Sequence, residues 1–522
     1  MSPRNSGSSS CRRSRSEPSL SGASEEGPRS KILKKDGDDI LVVAAAREDV
    51  KVGDYLLATQ EKRSLVLQVY DEHYLDVEGV EEEIAREEVL SASMHGVTED
   101  PTDLTTISTL IRDMRVLVCK GRGTITRGRL SPRADWMPSR TSSTVSRLLV
   151  NELTASVAQL GKRIIRIGRV DSGSEFGVMA EALDGRITVI TGRKESGKSH
   201  LAKMLLRGLL EHGAYSIVFD LNDEYGVIGQ KHDGSRIPLS HKVKVVRPGR
   251  EMRLSLSSVG LRAITSLLLH SLDMPGTSLR EFVKIWEMLE GRGELTLVSL
   301  EVAIHSWRCN EFVRDALFAR FHTIASCGLF TDSPEKQFDL LSFFSSSRGG
   351  GSLVISLSDV SPLNRRMTVE LVLSKLVDLL EHKKIPPVFL FAEEAHLYLR
   401  ETYWEDLITR MRHFGVFTVF VTNQPDAIDQ KIYRQVDNIF LYTFSNDADL
   451  SMVSQASMAD TDTVKALVRT LPPHVCLLLG YAVNNLPVMV TVDPFDSPPS
   501  GTTRRFFEEE PIAFAEATSS KA

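Results

Sequence analysis

From residue 187 onward, short apolar runs alternate with stretches of helical periodicity. The runs are ITVIT (187–191), YSIVFD (215–220), SLVISL (352–357), VFLFA (388–392), FTVFVT (417–422) and NIFLYT (438–443). Each has the length and the β-branched or aromatic content of a buried strand. Segments such as SHLAKMLLRGLL (199–210) carry apolar residues at helical spacing. This order predicts an α/β fold, a mostly parallel sheet with helices on both faces. The block at about 255–345 breaks the alternation. It is rich in Leu, Phe and Arg at helical spacing and reads as a helical insertion.

Upstream, ILVVAAA, GDYLLATQ, SLVLQVYDEHY and RVLVCKGRG are short β-rich runs separated by polar turns, and they predict a small β-barrel over 38–125. Residues 1–37 form a Ser/Arg-rich tail with too little apolar surface to fold. Residues 126–150, rich in Arg, Ser and Pro, read as a linker, 151–500 as the main domain, and 501–522 as a C-terminal segment and tail. No internal repeat is visible.

Composition narrows the class. The chain has 522 residues, 42% hydrophobic and 25% charged, which suits a large globular core. No apolar run reaches the roughly 18–20 residues of a membrane span, and the first 30 residues lack the apolar centre of a signal peptide. Five widely spaced cysteines with no C-x-x-C pair point to a reducing, cytoplasmic setting and away from a structural zinc site. With a net charge of −6, any contact with nucleic acid has to come from local basic patches.

The chemistry centres on Gly192-Arg-Lys-Glu-Ser-Gly197-Lys198-Ser199, a match to G-x-x-x-x-G-K-[ST]. At average residue usage a chance match in a chain this long has odds of roughly 2%. Here the run sits between a predicted strand and a predicted helix, the context that the phosphate-cradling loop needs. Lys198 would reach the β- and γ-phosphates of a nucleoside triphosphate, and the Ser199 hydroxyl would hold Mg²⁺. A second part is required, a carboxylate at the end of a neighbouring strand. VFLFA followed by Glu393-Glu394-Ala-His396 supplies it, with Glu393 toward the metal shell and Glu394 as general base. FTVFVT ends in Asn423-Gln424, either of which could sense the γ-phosphate or orient water. Arg410-Met-Arg412-His-Phe-Gly415 reads equally as a surface turn or as a source of an arginine for a neighbouring subunit's site. Asp220-Leu-Asn-Asp-Glu224-Tyr225 reads as a turn and helix cap or as further site carboxylates.

Taken in order, these segments resemble the HerA branch of the HerA/FtsK P-loop ATPases, hexameric ring motors that translocate along duplex DNA. The likeness spans about 39–507. VKVGDYLLATQ is similar to the family's N-terminal barrel, RIGRV to the lead-in, DLNDEYG to D-x-x-G-E-Y, EEAH to the end of the acidic strand, and RMRHFG…VTNQP to R-K-F-G…S-Q-R-P. LPPHVCLLLGYAVNNLPVMV resembles the closing strands. The resemblance implies a RecA-like core in which Gly192, Glu195, Ser196, Gly197, Lys198, Ser199 and His200 bind ATP. Ser199 and Glu393 would hold Mg²⁺, Glu394 would be the catalytic carboxylate, Gln424 the sensor and Arg412 the trans-acting finger. Arg186 matches a basic position that contacts the nucleotide, and Gly501 and Thr502 would brace an adjacent subunit's nucleotide. Three departures stand out: charged Arg193-Lys194-Glu195 where small residues are usual, Asp223 in place of Gly, and no arginine after Gln424.

The implied function is an ATP-driven translocase or helicase on double-stranded DNA, a homo-hexamer working with a nuclease partner in DNA end processing or repair. Alternatives are an ATP-controlled ring that regulates an effector, or a conjugation-type DNA pump.

Overall fold

The computed structural model of the chain describes residues 30–44, 48–75, 114–156, 162–399 and 411–500, apart from positions 172, 445, 458 and 499. Eighteen strands fall into two sheets among these residues. The N-terminal sheet comprises β1 (Lys31–Asp36), β2 (Asp39–Ala44), β3 (Tyr55–Gln60), β4 (Arg63–Tyr74), β5 (Arg115–Thr126), β6 (Arg129–Ser131) and β7 (Thr144–Leu148). All its pairings are antiparallel, in the order β1-β2-β5-β4-β3-β7, with β6 on β5. It encloses a core of its own that includes Val42, Leu56, Leu67 and Leu117.

Two boundaries differ from the sequence reading. The sheet begins at Lys31, inside the expected tail, and the expected linker at 126–150 supplies β6 and β7. Backbone pairing holds these strands in place: β7 lies against β3 from Tyr55↔Leu148 to Thr59↔Thr144, although only Val145 and Leu148 of its five residues are buried. A strand that is mostly polar leaves little periodic signal.

The second sheet has eleven strands: β8 (Ile164–Val170), β9 (Ser174–Met179), β10 (Thr188–Thr191), β11 (Tyr215–Asp220), β12 (Val243–Val246), β13 (Gly351–Ser356), β14 (Val388–Glu393), β15 (Val416–Thr422), β16 (Asn438–Leu441), β17 (Val475–Gly480) and β18 (Val488–Val492). Seven run parallel in the order β12-β13-β11-β14-β15-β10-β16, and β17, β18, β8 and β9 extend the sheet antiparallel. All six apolar runs form parallel strands. Because side chains alternate across a strand, Ile217 and Phe219 join one core and Val218 the other, and Leu390 faces opposite to Phe389 and Phe391.

Helices cover both faces. On one lies α1 (Lys198–Glu211), with Leu201, Leu205, Leu206, Leu209 and Leu210 no more than 1% exposed. Each such leucine contributes roughly 1.5–3 kcal/mol by leaving water. Between β12 and β13 come α2 (Gly276–Arg292), α3 (Leu297–Ser306) and α4 (Glu311–Ser326), packed around Trp286, Phe282, Ile304 and Phe321 in a separate cluster. The opposite face carries α5 (Pro362–Glu381), whose start is marked by the Ser361 cap and by proline at its first position. Asp460 caps α6 (Thr461–Arg469) and also receives Arg122 of the N-terminal sheet at 2.7 Å, joining that sheet to α6. No helix among the described residues is long and apolar enough to cross a membrane.

Candidate nucleotide-binding and hydrolysis site

β10 is buried along its whole length between β15 and β16, so the chain leaves it at the carboxyl edge of the parallel sheet, where such folds bind ligands. There it turns through Gly192–Ser199 into α1. Gly192 takes φ 145°, and a Cβ on it would sit 2.6 Å from the Cβ of Tyr442. Gly197 takes φ 110° beneath the same tyrosine, whose hydroxyl donates to the Gly197 carbonyl at 3.3 Å. Glycine is needed at both places. The Arg193 N–H donates to the Thr443 carbonyl at 2.9 Å, pinning the loop to the end of β16. The side chains of Arg193, Lys194 and Glu195 are exposed, and Glu195 sits in the left-handed region at φ 61°.

Lys198 is buried, and its Nζ donates to the Arg193 carbonyl at 2.6 Å. Burial pushes its pKa down to about 8, against the opposing pull of Glu394 and Glu224. Ser199 is half-buried at the head of α1, and His200 lies on the helix's exposed side.

β14 delivers the two carboxylates. Glu393 is 2% exposed, and its Oε2 accepts the Leu221 N–H at 3.1 Å. Burial, reinforced by the charges of Asp220 and Glu224, drives Glu393 well above the ordinary carboxylate range. Glu394 has φ 45°, and its carboxyl is also raised by burial, with Lys198 pulling the other way. Its Oε1 lies 3.4 Å from Asn423 Nδ2, and its Oε2 lies 3.4 Å from His396 Nδ1. Thr422 Oγ1, 3.1 Å from the same His396 nitrogen, ties the imidazole to the end of β15.

Asp220 closes a turn, accepting the N–H groups of Glu224 (3.0 Å) and Tyr225 (2.9 Å). The turn brings Glu224 to within 3.2 Å of Lys203 on α1, a nearly buried ion pair. Asp223 has φ 56°, which explains why glycine is usual at this position. Its carboxylate accepts the hydroxyls of Ser356 (2.5 Å) and Ser358 (2.6 Å).

Gln424 and Arg186 lie outside this cluster, and Arg412, expected to serve a neighbouring subunit, lies at the other edge of the sheet. Gln424 is exposed and holds Thr422 Oγ1 only through its backbone, so the amide beside Glu394 belongs to Asn423. Arg186 and Arg412 lie at the amino ends of β10 and β15, neighbouring strands in parallel register. Six residues of roughly 3.3 Å each separate Arg186 from Gly192, so Arg186 stands about 20 Å from its own phosphate loop. Both arginines instead meet Asp437, Arg412 at 3.4 Å and Arg186 at 3.8 Å. Gly501 and Thr502 lie outside the described residues. Asp437 and Tyr481 had no local sequence signal, because their partners are distant in the chain.

The parallel sheet, the glycine-framed loop at its carboxyl edge and the paired carboxylates define a P-loop ATPase. Residues 165–317 match the family model described as "Helicase HerA, central domain". A protein named DNA double-strand break repair helicase HerA, from Sulfolobus acidocaldarius, is 22% identical over 424 residues, covering 75% of this chain and 80% of that protein. A probable helicase of Methanocaldococcus jannaschii is 22% identical over 370 residues, covering 64% and 68%. Among solved structures, the bacterial conjugative coupling protein TrwBΔN70 in its unbound form aligns with a TM-score of 0.50 at 14% identity, covering 69% of this chain and 95% of that one, a likeness of fold alone. The chain is thus similar to HerA-type ATPases in sequence and to P-loop ATPases in fold.

Proposed function

We propose that this chain is an ATP-driven motor that translocates along or unwinds double-stranded DNA as a cytoplasmic homo-hexamer, together with a nuclease partner in DNA end processing or repair. The observation that carries the reading is the division of one hydrolysis site between two edges of the sheet. Lys198, Glu394 and Asn423 meet at the carboxyl edge, while Arg186 and Arg412 point away from it at the amino edge. A second copy would bring the two halves together, as a ring does. The N-terminal sheet would act as a barrel-like domain on that ring, and the helical block at 255–345 as an insertion.

ATP and Mg²⁺ fit the residues at the carboxyl edge. Thr191 Oγ1, Ser196 Oγ, Glu393 Oε1 and Asn423 Oδ1 are buried without a hydrogen-bond partner among the described residues. Buried polar atoms are ordinarily paired, and an all-oxygen set suits a hydrated Mg²⁺. Ser199 and Glu393 would hold the metal, which neutralises charge on the β- and γ-phosphates. Lys198 would bind those phosphates beside Gly192, Glu195, Ser196, Gly197 and His200. Glu394, its basicity raised by burial, takes the proton of the attacking water, and Asn423 orients it. Arg412, with Arg186 beside it, would stabilise the neighbour's transferring phosphoryl group, a contribution of about 10³–10⁵ in rate.

ATP turnover of the purified protein with and without duplex DNA tests this. Stimulation by DNA together with movement along it supports the motor. Turnover that is indifferent to DNA rejects the motor and favours an ATP-controlled regulatory ring.

A further inference from the structure

We propose that Asp437 and Tyr481 are positioning residues that hold Arg186 and Arg412 as one rigid cationic pair for a neighbouring copy's nucleotide. The proposal rests on the ring reading above and adds what fixes the two arginines in place.

Asp437 is bound on every side. Its N–H donates to the Ile187 carbonyl at 2.9 Å, and its own carbonyl accepts the Tyr481 N–H at 2.9 Å. Its Oδ2 accepts the Ile187 N–H at 3.0 Å and Arg412 at 3.4 Å, while Oδ1 faces Arg186 at 3.8 Å. Through its backbone Asp437 ties the entry to β16 to the entry to β10 and the end of β17, and its carboxylate joins the Ile187 N–H to two guanidinium groups. Tyr481 supplies the second constraint. The Arg186 guanidinium lies 3.3 Å over the centre of its ring, so the planar cation has a flat support and little freedom to turn.

The charge is incomplete as it stands. Two guanidinium groups share one carboxylate, which leaves one positive charge unbalanced within the cluster. The Arg186 Nε is buried without a hydrogen-bond partner among the described residues. Arg412 keeps 39% of its side chain in solvent, and Tyr481, beneath Arg186, is 45% exposed. A phosphoryl group is the partner chemistry that such a pair takes, because its oxygens accept several N–H bonds at once. Holding the pair in place before the nucleotide arrives avoids ordering two long side chains during the reaction.

A merely structural role for Asp437 would act through its bond to Ile187. Asp437→Asn keeps an acceptor for that N–H and removes the charge. In the full-length protein we expect Asp437→Asn to lower kcat about 10–100-fold. The KM for ATP, the affinity for ADP and the mass of the ring should stay unchanged, while trapping of ADP with aluminium fluoride is lost. Tyr481→Ala should lower kcat about tenfold, and Tyr481→Phe should restore it. Wild-type kcat for both Asp437→Asn and Tyr481→Ala, with Arg412→Ala and Arg186→Ala impaired, overturns this proposal and leaves the shared site standing. Wild-type kcat for Arg412→Ala overturns the shared site itself. Where Asp437→Asn does not assemble, wild-type kcat for Tyr481→Ala alone overturns the positioning role.

Discussion

Lys198 donates its Nζ hydrogen to the carbonyl of Arg193, five residues earlier in the same loop, at 2.6 Å. The lysine expected to meet phosphate is thus held by its own loop, and a bound triphosphate would replace that carbonyl as its partner. With the pKa pushed down to about 8 by burial, the ammonium form dominates below that pH and is lost above it. Bound phosphate favours the charged form. Affinity for ATP should therefore be level below about pH 8 and weaken above it, by up to roughly tenfold per pH unit. Titration with a fluorescent ATP analogue at several pH values checks this, and a flat profile removes Lys198 from the phosphate site.

Glu394→Gln should leave nucleotide affinity within about twofold and lower turnover by about 10²–10⁴. Because burial raises the Glu394 carboxyl, wild-type turnover should fall on the acid side at a pH above the ordinary glutamate value of 4.5, as the base becomes protonated. Steady-state phosphate release measured across pH is the readout. Unchanged turnover in the variant would show that another group is the base.

Asn423 and Gln424 separate by geometry. Asn423→Ala removes the amide beside Glu394 and should cut kcat about tenfold or more. Gln424→Ala leaves the exposed turn intact and should change kcat less than about threefold. The reverse order would return the sensor role to Gln424.

Asp223→Gly sets backbone strain against hydrogen bonds. Glycine relieves a left-handed φ of 56°, but Ser356, which is buried, and Ser358 lose the carboxylate that accepts their hydroxyls. An unsatisfied buried donor costs about 1–3 kcal/mol, against roughly 1–2 kcal/mol regained from the backbone, and two hydroxyls lose their acceptor. Chemical denaturation should show a net loss of up to about 2 kcal/mol. A more stable variant would mean that strain dominates.

Local pattern carried much of this protein. The six apolar runs became six parallel strands, because burial on both faces of a sheet demands continuous apolar residues. The loop at Gly192–Ser199 and the Glu393-Glu394 strand end were legible for a related reason. Phosphate-cradling backbone and a carboxylate at a strand terminus each need particular residues within a few positions of one another. The limits of the N-terminal sheet were not legible, since β7 is held by pairing with β3 and is mostly polar.

Tertiary structure alone decided what faces what. Asn423 and Gln424 are adjacent in sequence, and only the turn after β15 aims one of them at Glu394. Arg186, Arg412, Asp437 and Tyr481 span nearly 300 residues. The parallel register of β10, β15 and β16 gathers the first three at one edge, and the antiparallel return of β17 beside β16 brings Tyr481 there. That register also places Arg186 at the far end of the strand from the loop it precedes. Sequence proximity measures distance along a chain, whereas a strand carries its two ends to opposite sides of the molecule.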